Sequence, residues 1–478
     1  MSDTKLKIGW AQADITPEEP VAVAGQFNAR VSEGVMDPVT ATALVLEQGD
    51  EHVVMVSCDL VAVGEALLEA VGDRLDGPRA EALVMNATHT HTAPETRAET
   101  RDSIEAFYGV DLPVMEVDEY VEFAADRIAD AVNEAWAGRA EGSVAFGLGQ
   151  AVVGRNRRWV DVNGVSTMYG STDTPEFSHI EGYEDHSVNV LATYDPDGDL
   201  TGVIVNVPCP SQETESMYVL SADFWHETRE ELRARLGDGL FVLPQASAAG
   251  DQSPHLIWGK REHERMLELK DRTSREEIGN RIADAVEDVL GWIDGTQDDA
   301  PALVHERIEL DLPLRALTEA DVQQAEEDAE PWQKEYEDEM RKLEENPELR
   351  EEPRWYVPVT KAFRKVQWHN RVRNRFEQQQ EDPFKHVTLH VIRLGDVAIA
   401  TNPFEYYLDF GVYIKARTPA MQTFLVQLTG PGSYVPSQRS TEGGGYGSVP
   451  ASTPIGPDGG RLVADTTIDT LLRLWDED

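Results

Sequence analysis

The sequence predicts a mixed α/β fold: layered β-sheets covered by helices, with a helical insertion. Three observations carry this. Short apolar runs of strand length recur along the chain. Segments whose apolar residues repeat with helical period lie between them. Residues 317–380 form a third kind of segment, rich in Glu, Lys, Arg and Gln and mostly helical in pattern.

In chain order, residues 41–46 and 52–57 read as strands and 66–75 as a helix. Residues 81–87 contain the apolar run Ala82-Leu83-Val84-Met85 and read as a buried strand, followed at 117–137 by a long amphipathic helix. The stretch 154–173 is irregular and carries Arg155, Arg157 and Arg158. Residues 188–194 and 201–207 form a hairpin, turned by Asp195-Pro196-Asp197-Gly198-Asp199. A helix over 221–236 has Ser221 or Asp223 as its cap. A strand at 240–244 runs into the loop Ala248-Ala249-Gly250-Asp251, and 276–291 is again helical. Residues 317–380 then fold over the main body as an insertion, broken at Pro331, Pro347, Pro353 and Pro358. Its a/d repeat is too poor for a separate coiled coil. Residues 386–394 and 397–401 make a hairpin around Gly395-Asp396. The Gly/Pro/Ser-rich loop 430–460 is long enough to suggest function.

Composition narrows the function classes. The 478 residues carry a net charge of −46, and only ten of the 42 basic residues are Lys. The acidic excess is spread along the chain rather than held in a tail. Self-repulsion of that size is relieved by salt, with a Debye length of about 3 Å at 1 M. A halophilic protein of a salt-accumulating cytoplasm is the natural expectation. Nucleic acid is not an expected partner, because phosphate binding needs a basic stripe. The first ten residues lack an apolar core of signal-peptide length, and no run of about 18 apolar residues suggests a membrane span. Cys58 and Cys209 are the only cysteines and are expected to be reduced. A homo-oligomer is compatible with the sequence.

The chemistry is concentrated in four polar segments. Thr88-His89-Thr90-His91 follows the strand at 81–87. On an extended backbone residues i and i+2 share a face, so His89 and His91 are expected in one pocket. Imidazole there is suited to a metal or to proton transfer. The others are Gly250-Asp251-Gln252-Ser253-Pro254-His255, Asn402-Pro403-Phe404-Glu405, and Ser433-Tyr434-Val435-Pro436 with Tyr446 beyond. Taken singly, the second reads as a turn and the third as a helix start with Glu405 in its first turn.

Together, and in order, these segments resemble the neutral/alkaline non-lysosomal ceramidase family. The resemblance starts at Asp14-Ile15-Thr16-Pro17. It continues through Thr88–His91, Asn156-Arg157, Gly250–Pro254 and Pro403-Phe404-Glu405 to Tyr434-Val435-Pro436. It spans essentially the whole chain, 1–478, which is expected to be a single catalytic domain, the family's C-terminal immunoglobulin-like domain not being expected within it. The family's enzymes are zinc amidases that cleave the N-acyl bond of ceramide, with zinc held by two histidines, a glutamate and a tyrosine. The resemblance therefore implies one zinc per chain, with His89, Glu405 and Tyr434 as ligands. His91 would be the non-ligand histidine near the reacting oxygen, and Arg157 a substrate-binding arginine. Ser253 matches a serine proposed to take part in catalysis. Tyr446 would join Arg157 at the oxyanion or a polar substrate end, and Asp251 would orient a metal-bound histidine.

One departure stands out. The family's second histidine ligand falls on Pro210, within Val207-Pro208-Cys209-Pro210-Ser211-Gln212. Cys209 could replace it, since thiolate suits zinc, and it reads equally as a small buried apolar residue. Gln212, Glu215 and His226 are the alternatives, and a three-ligand site or no metal are others. The expected function is metal-dependent hydrolysis of an N-acyl bond in a small-molecule or lipid-like substrate other than ceramide itself. A non-catalytic binding protein, or a metal-independent hydrolase using Ser253, remain as alternative readings.

Overall fold

The computed structural model describes residues 4–97 and 103–476. Three helix-backed sheets meet around one interior. In the first, the order is Leu83–Ala87, Glu51–Cys58, Thr40–Gln48, Lys7–Asp14 and Ala140–Glu141. The second holds Phe241–Ala246, Leu200–Val207, Ser187–Tyr194 and Ser143–Gln150. The third holds Leu303–Pro313, Phe384–Leu394, Val397–Thr401 and Gln422–Val426.

Strand periodicity explains how one chain covers both faces of each sheet. In Thr40–Gln48, Ala41, Ala43 and Val45 point toward helices Glu65–Gly72 and Val117–Gly138, while Leu44 and Leu46 point into the common interior. In Leu200–Val207, Val203, Val205 and Val207 face helices Phe224–Leu236 and Ser274–Ile293, and Ile204 faces the interior. The third sheet repeats the pattern with Ile392, Ile399 and Phe424 inward, and helices Leu408–Arg417 and Pro457–Asp476 outside. Strands buried on both faces read as continuous apolar runs, which is why they were visible in the sequence. Truncating one of the inward Leu or Ile residues to Ala is worth about 2–5 kcal/mol.

The helical segment leaves the third sheet between two antiparallel neighbours. Their ladder runs from Leu303↔Leu394 to Pro313↔Phe384. Between those ends, helices Glu319–Glu345 and Val357–Glu381 pack on each other. Leu343, Tyr356 and Val359 join the helix side of the first sheet, so the pair lies against the body.

Several local expectations are corrected. The first long helix of the insertion runs through Pro331. Pro331 and Glu327 are both exposed, so the carbonyl left without its donor faces water. Pro347 does open a short 3₁₀ turn, and Pro358 sits in the first turn of the second helix, where no donor is needed. Residues 154–173 are not irregular throughout: Arg155–Asn156, Arg158–Asp161 and Ser166–Met168 are short strands. The loop 430–460 contains the two-residue strand Tyr434–Val435 and the helix Gln438–Gly443. Asp223, not Ser221, caps its helix, accepting from the Phe224 amide. Among the described residues no helix is long and apolar enough to cross a membrane.

Candidate active site

The Leu83–Ala87 strand, buried at every position, delivers the first histidine pair. Beyond it the backbone is not extended: His89 has φ +65°, in the left-handed region. That conformation costs a side-chain-bearing residue on the order of 1–3 kcal/mol. It is held by amide bonds from Thr88 to Cys58 O (2.9 Å) and from Thr90 to Leu60 O (3.1 Å). The two imidazoles still meet, with ring centres 4.8 Å apart at 73°, though through a turn and not through strand alternation. His89 Nδ1 lies 2.7 Å from the Val61 carbonyl oxygen. A carbonyl can only accept, so Nδ1 donates there and Nε2 is the nitrogen left to face the site. Nε2 lies 3.4 Å from Glu405 Oε2.

Glu405 is not in a helix. The Asn402 side chain accepts from the Phe404 amide at 3.1 Å, which turns the chain. Glu405–Tyr406 then pairs in parallel with Tyr434–Val435, with Glu405 opposite Tyr434. The Tyr434 hydroxyl accepts from Arg157 Nη2 at 3.3 Å, and Glu405 Oε2 lies 3.6 Å from the same nitrogen. Gly250 packs against this bridge, and a Cβ there would collide with the Glu405 carbonyl.

Arg157 is the buried hub. Its Nη1 donates to Tyr169 OH (3.0 Å) and Gln212 Oε1 (3.2 Å), and its Nη2 to Gly250 O (2.9 Å) and Tyr434 OH (3.3 Å). Nη2 also lies 3.6 Å from Glu405 Oε2. Burial pushes the Glu405 carboxyl up, but His89, Arg157 and Tyr434 outweigh it and hold it below the usual carboxylate range. Burial, then the Glu405 charge, pushes the Tyr434 phenol well above its ordinary value. Burial, followed by His89 and three arginines, holds His91 neutral well below the usual imidazole range. Both His91 nitrogens are buried without a hydrogen-bond partner, although Nδ1 lies 3.5 Å from Glu215 Oε2.

Other predicted residues take different places. Asp251 does not orient His89, whose Nδ1 is held by Val61. Its carboxylate accepts from Asn156 Nδ2 (2.8 Å) and the Leu408 amide (2.9 Å), and its carbonyl accepts from the Arg157 amide (2.9 Å). Asp251 thus anchors the Arg157 strand, and burial raises its pKa to about 6. Ser253 Oγ accepts from Tyr169 OH (3.2 Å) and from the His255 amide (3.1 Å). The His255 ring instead has Nε2 at 2.8 Å from Gln212 O, so Ser253 has no imidazole base of its own there. Cys209 belongs to the apolar cluster behind the second sheet, and its Sγ contacts the carbonyl of Pro210 at 3.3 Å. Burial pushes that thiol well up, which disfavours the thiolate a metal needs. Both cysteines are free. Tyr446 stands edge-on to Tyr434, ring centres 5.5 Å apart, at the cavity above the site.

Tyr169 was missed by sequence reasoning. It has φ +63° and ties Arg157, Gln212 and Ser253 together. Gln212 and Glu215 carried a signal only through the departure at Pro210. His255 bridges Glu213 (3.6 Å) and Glu215 (3.4 Å), extending the titratable cluster to a second cavity.

No family model and no curated protein matches the sequence. Solved structures do match in shape. One is a ceramidase complexed with C2, at TM-score 0.69 and 16% identity over 99% of this chain and 76% of that one. Another is the neutral ceramidase from Pseudomonas aeruginosa, at TM-score 0.68 and 18% identity over 100% of this chain and 75% of that one. The fold is neutral-ceramidase-like. This ceramidase-like arrangement spans the whole chain and includes all four polar segments.

Among the described residues no three His, Cys, Asp or Glu side chains converge as a ready set of ligands. The donors present are two of that kind and a phenol. Their geometry fits a metal nonetheless. The His89–Glu405 separation of 3.4 Å is long for a charge-assisted hydrogen bond. Imidazole and carboxylate are donors that zinc takes. The hold of Val61 on His89 Nδ1, which leaves Nε2 to the site, and the partnerless His91 nitrogens beside it point the same way.

Proposed function

We propose that the protein is a metal-dependent hydrolase of N-acyl (amide) bonds acting on a substrate other than ceramide itself. The observation that carries this is the His89–Glu405 pair, with Nδ1 of His89 locked on Val61 and Nε2 left to face the carboxylate at 3.4 Å. His89, Glu405 and Tyr434 would hold zinc. Bound zinc supplies Lewis acidity, which polarises an acyl carbonyl and acidifies water.

The chain's own residues account for the rest. His91 has both ring nitrogens buried without a hydrogen-bond partner, so one of them can take a proton from the attacking water. The water oxygen bonds to the acyl carbon, His91 passes the proton to the amide nitrogen, and the C–N bond breaks to give a carboxylic acid and an amine. Arg157 has a buried donor, Nε, with no partner, beside its four made bonds. With Tyr446 it would hold the oxygen that gains charge. Tyr169 and Asp251 position Arg157.

The experiment is release of amine from fluorogenic N-acyl compounds, by wild type and Glu405→Gln, with and without a chelator. The reading expects turnover that the chelator abolishes, that added zinc restores, and that Glu405→Gln lowers at least a hundredfold. Turnover indifferent to both chelator and substitution would contradict it.

A further inference from the structure

The segment with Pro210 at the position of the second histidine continues as Ser211-Gln212-Glu213-Thr214-Glu215. This loop follows strand Leu200–Val207 and is tied to the histidine turn at two points. Ser211 Oγ donates to the Thr88 carbonyl at 2.8 Å, and the Thr214 and Thr92 hydroxyls lie 3.0 Å apart. All four residues are buried. Bonds between buried groups fix position, because breaking one strands a polar atom. The loop therefore holds Glu215 in a set relation to His91.

Arg30 tightens that relation. Its guanidinium is buried and donates to main-chain oxygens from both segments. Nη1 donates to Glu215 O (2.7 Å) and Met217 O (2.8 Å), and Nη2 to His91 O (2.6 Å) and Ala24 O. Gln26 Nε2 adds a bond to Glu215 O at 3.1 Å. One cation thus clamps the backbones of Glu215 and His91 together.

Their side chains face each other. Glu215 Oε2 lies 3.5 Å from His91 Nδ1. Gly25, at φ +100°, rests against the same edge of the ring, where a Cβ would come within 2.6 Å of Nδ1. The carboxylate is held in turn: Gln212 Nε2 donates to Oε2 at 3.3 Å, and His255 Nε2 lies 3.4 Å from Oε1. Gln212 also accepts from Arg157, which links the carboxylate to the hub of the site. Both His91 nitrogens are buried without a hydrogen-bond partner, and buried polar groups need one.

We propose that Glu215 is a positioning residue for His91: its carboxylate accepts from Nδ1 and so turns Nε2 toward the reacting water. For its effect on the reaction this rests on the amidase reading above; for the orientation of His91 it does not. A base oriented by a third group is the general arrangement for activating a nucleophile. Bringing 3.5 Å down to a bond takes a small turn of either side chain, of the kind that follows substrate binding.

The test compares full-length wild type, Glu215→Gln, Glu215→Ala and His91→Gln, each checked for folding by thermal melting and for zinc content. Proton NMR downfield of the amide region reads the orientation, because an imidazole N–H bonded to a carboxylate resonates there. The expected result is a resonance in wild type that is lost in His91→Gln and in both Glu215 variants. Amide turnover reads the consequence. Glu215→Gln should lower kcat about a hundredfold, with KM and zinc content nearly unchanged. Glu215 lines a cavity of about 450 Å³, which gives a small anion access to its place. Formate exchanged for chloride at constant ionic strength should raise kcat of Glu215→Ala about tenfold, a rescue that a purely structural role would not show. No His91 resonance in wild type, its persistence in a folded Glu215 variant, or undiminished kcat in folded Glu215→Gln overturns the proposal. Zinc lost from folded Glu215 variants also overturns it and makes Glu215 a ligand instead. The expected resonances without any amide turnover support the orientation and count against the amidase reading.

Discussion

Glu405 and Tyr434 are register partners in a two-residue parallel bridge, 29 positions apart in sequence, with Arg157 Nη2 beside both side chains. The bridge joins the end of the third sheet to the 430–460 segment. It sets a carboxylate and a phenol side by side, opposite the His89 imidazole.

Gly250 keeps that bridge in place. Its lack of a Cβ lets its backbone rest against Glu405 and accept from Arg157. Gly250→Ala should displace Glu405. A shift of about 1 Å at a reacting group typically costs about a hundredfold in rate. Turnover measured beside thermal melting checks this; a folded Gly250→Ala protein with undiminished activity contradicts it.

Asp59 and Arg229 form a buried bidentate pair, at 2.8 and 3.1 Å, behind the His89 turn. Asp59 also accepts from the Thr40 amide at 2.9 Å. Asp59→Ala strands a buried guanidinium and should cost about 3–5 kcal/mol. Asp59→Leu with Arg229→Met should recover much of the loss. Urea unfolding of the single and double variants decides, and equal stability of all three proteins would refute it.

Cys209→Ala is expected to leave bound metal unchanged and to cost about 1–2 kcal/mol, because the thiol fills apolar space behind the second sheet. Loss of metal from a folded Cys209→Ala protein would instead make Cys209 a ligand.

His305 and His390 stack between strands of the third sheet, with Nε2 and Nδ1 at 2.9 Å. Burial, then Arg79, lowers the pKa of His305 to about 4; burial, then His305, lowers that of His390 to about 3. A folded-state pKa below the unfolded value of 6.5 means stability present above pH 6.5 and lost as pH falls toward 4 and 3. Each group adds a slope of up to about 1.4 kcal/mol per pH unit. Unfolding free energy followed from pH 7 to pH 4.5 should fall in wild type and fall less in His305→Gln/His390→Asn. Parallel profiles would exclude the pair as the cause.

Strands buried on both faces announced themselves as apolar runs, and Gly395 and Gly198 marked the two hairpin turns, both with positive φ. Strands such as Lys7–Asp14 and Leu303–Pro313 were not legible, because half-exposed positions dilute their pattern. The polar segments were found as strings, and the structure brings His89, His91, Arg157, Glu405, Tyr434 and Tyr446 together. Their wiring was hidden. The left-handed turn at His89, the hold of Val61 on its ring and the role of Tyr169 depend on contacts between segments far apart in sequence. A backbone carbonyl has no sequence signature at all.

The most direct test is zinc content per chain after reconstitution and desalting, for wild type, His89→Ala and Glu405→Gln, each established as folded by thermal melting. The account predicts about one zinc in wild type and a large loss in both variants. Wild type without zinc, or variants that keep it, would contradict the metal centre at His89, Glu405 and Tyr434.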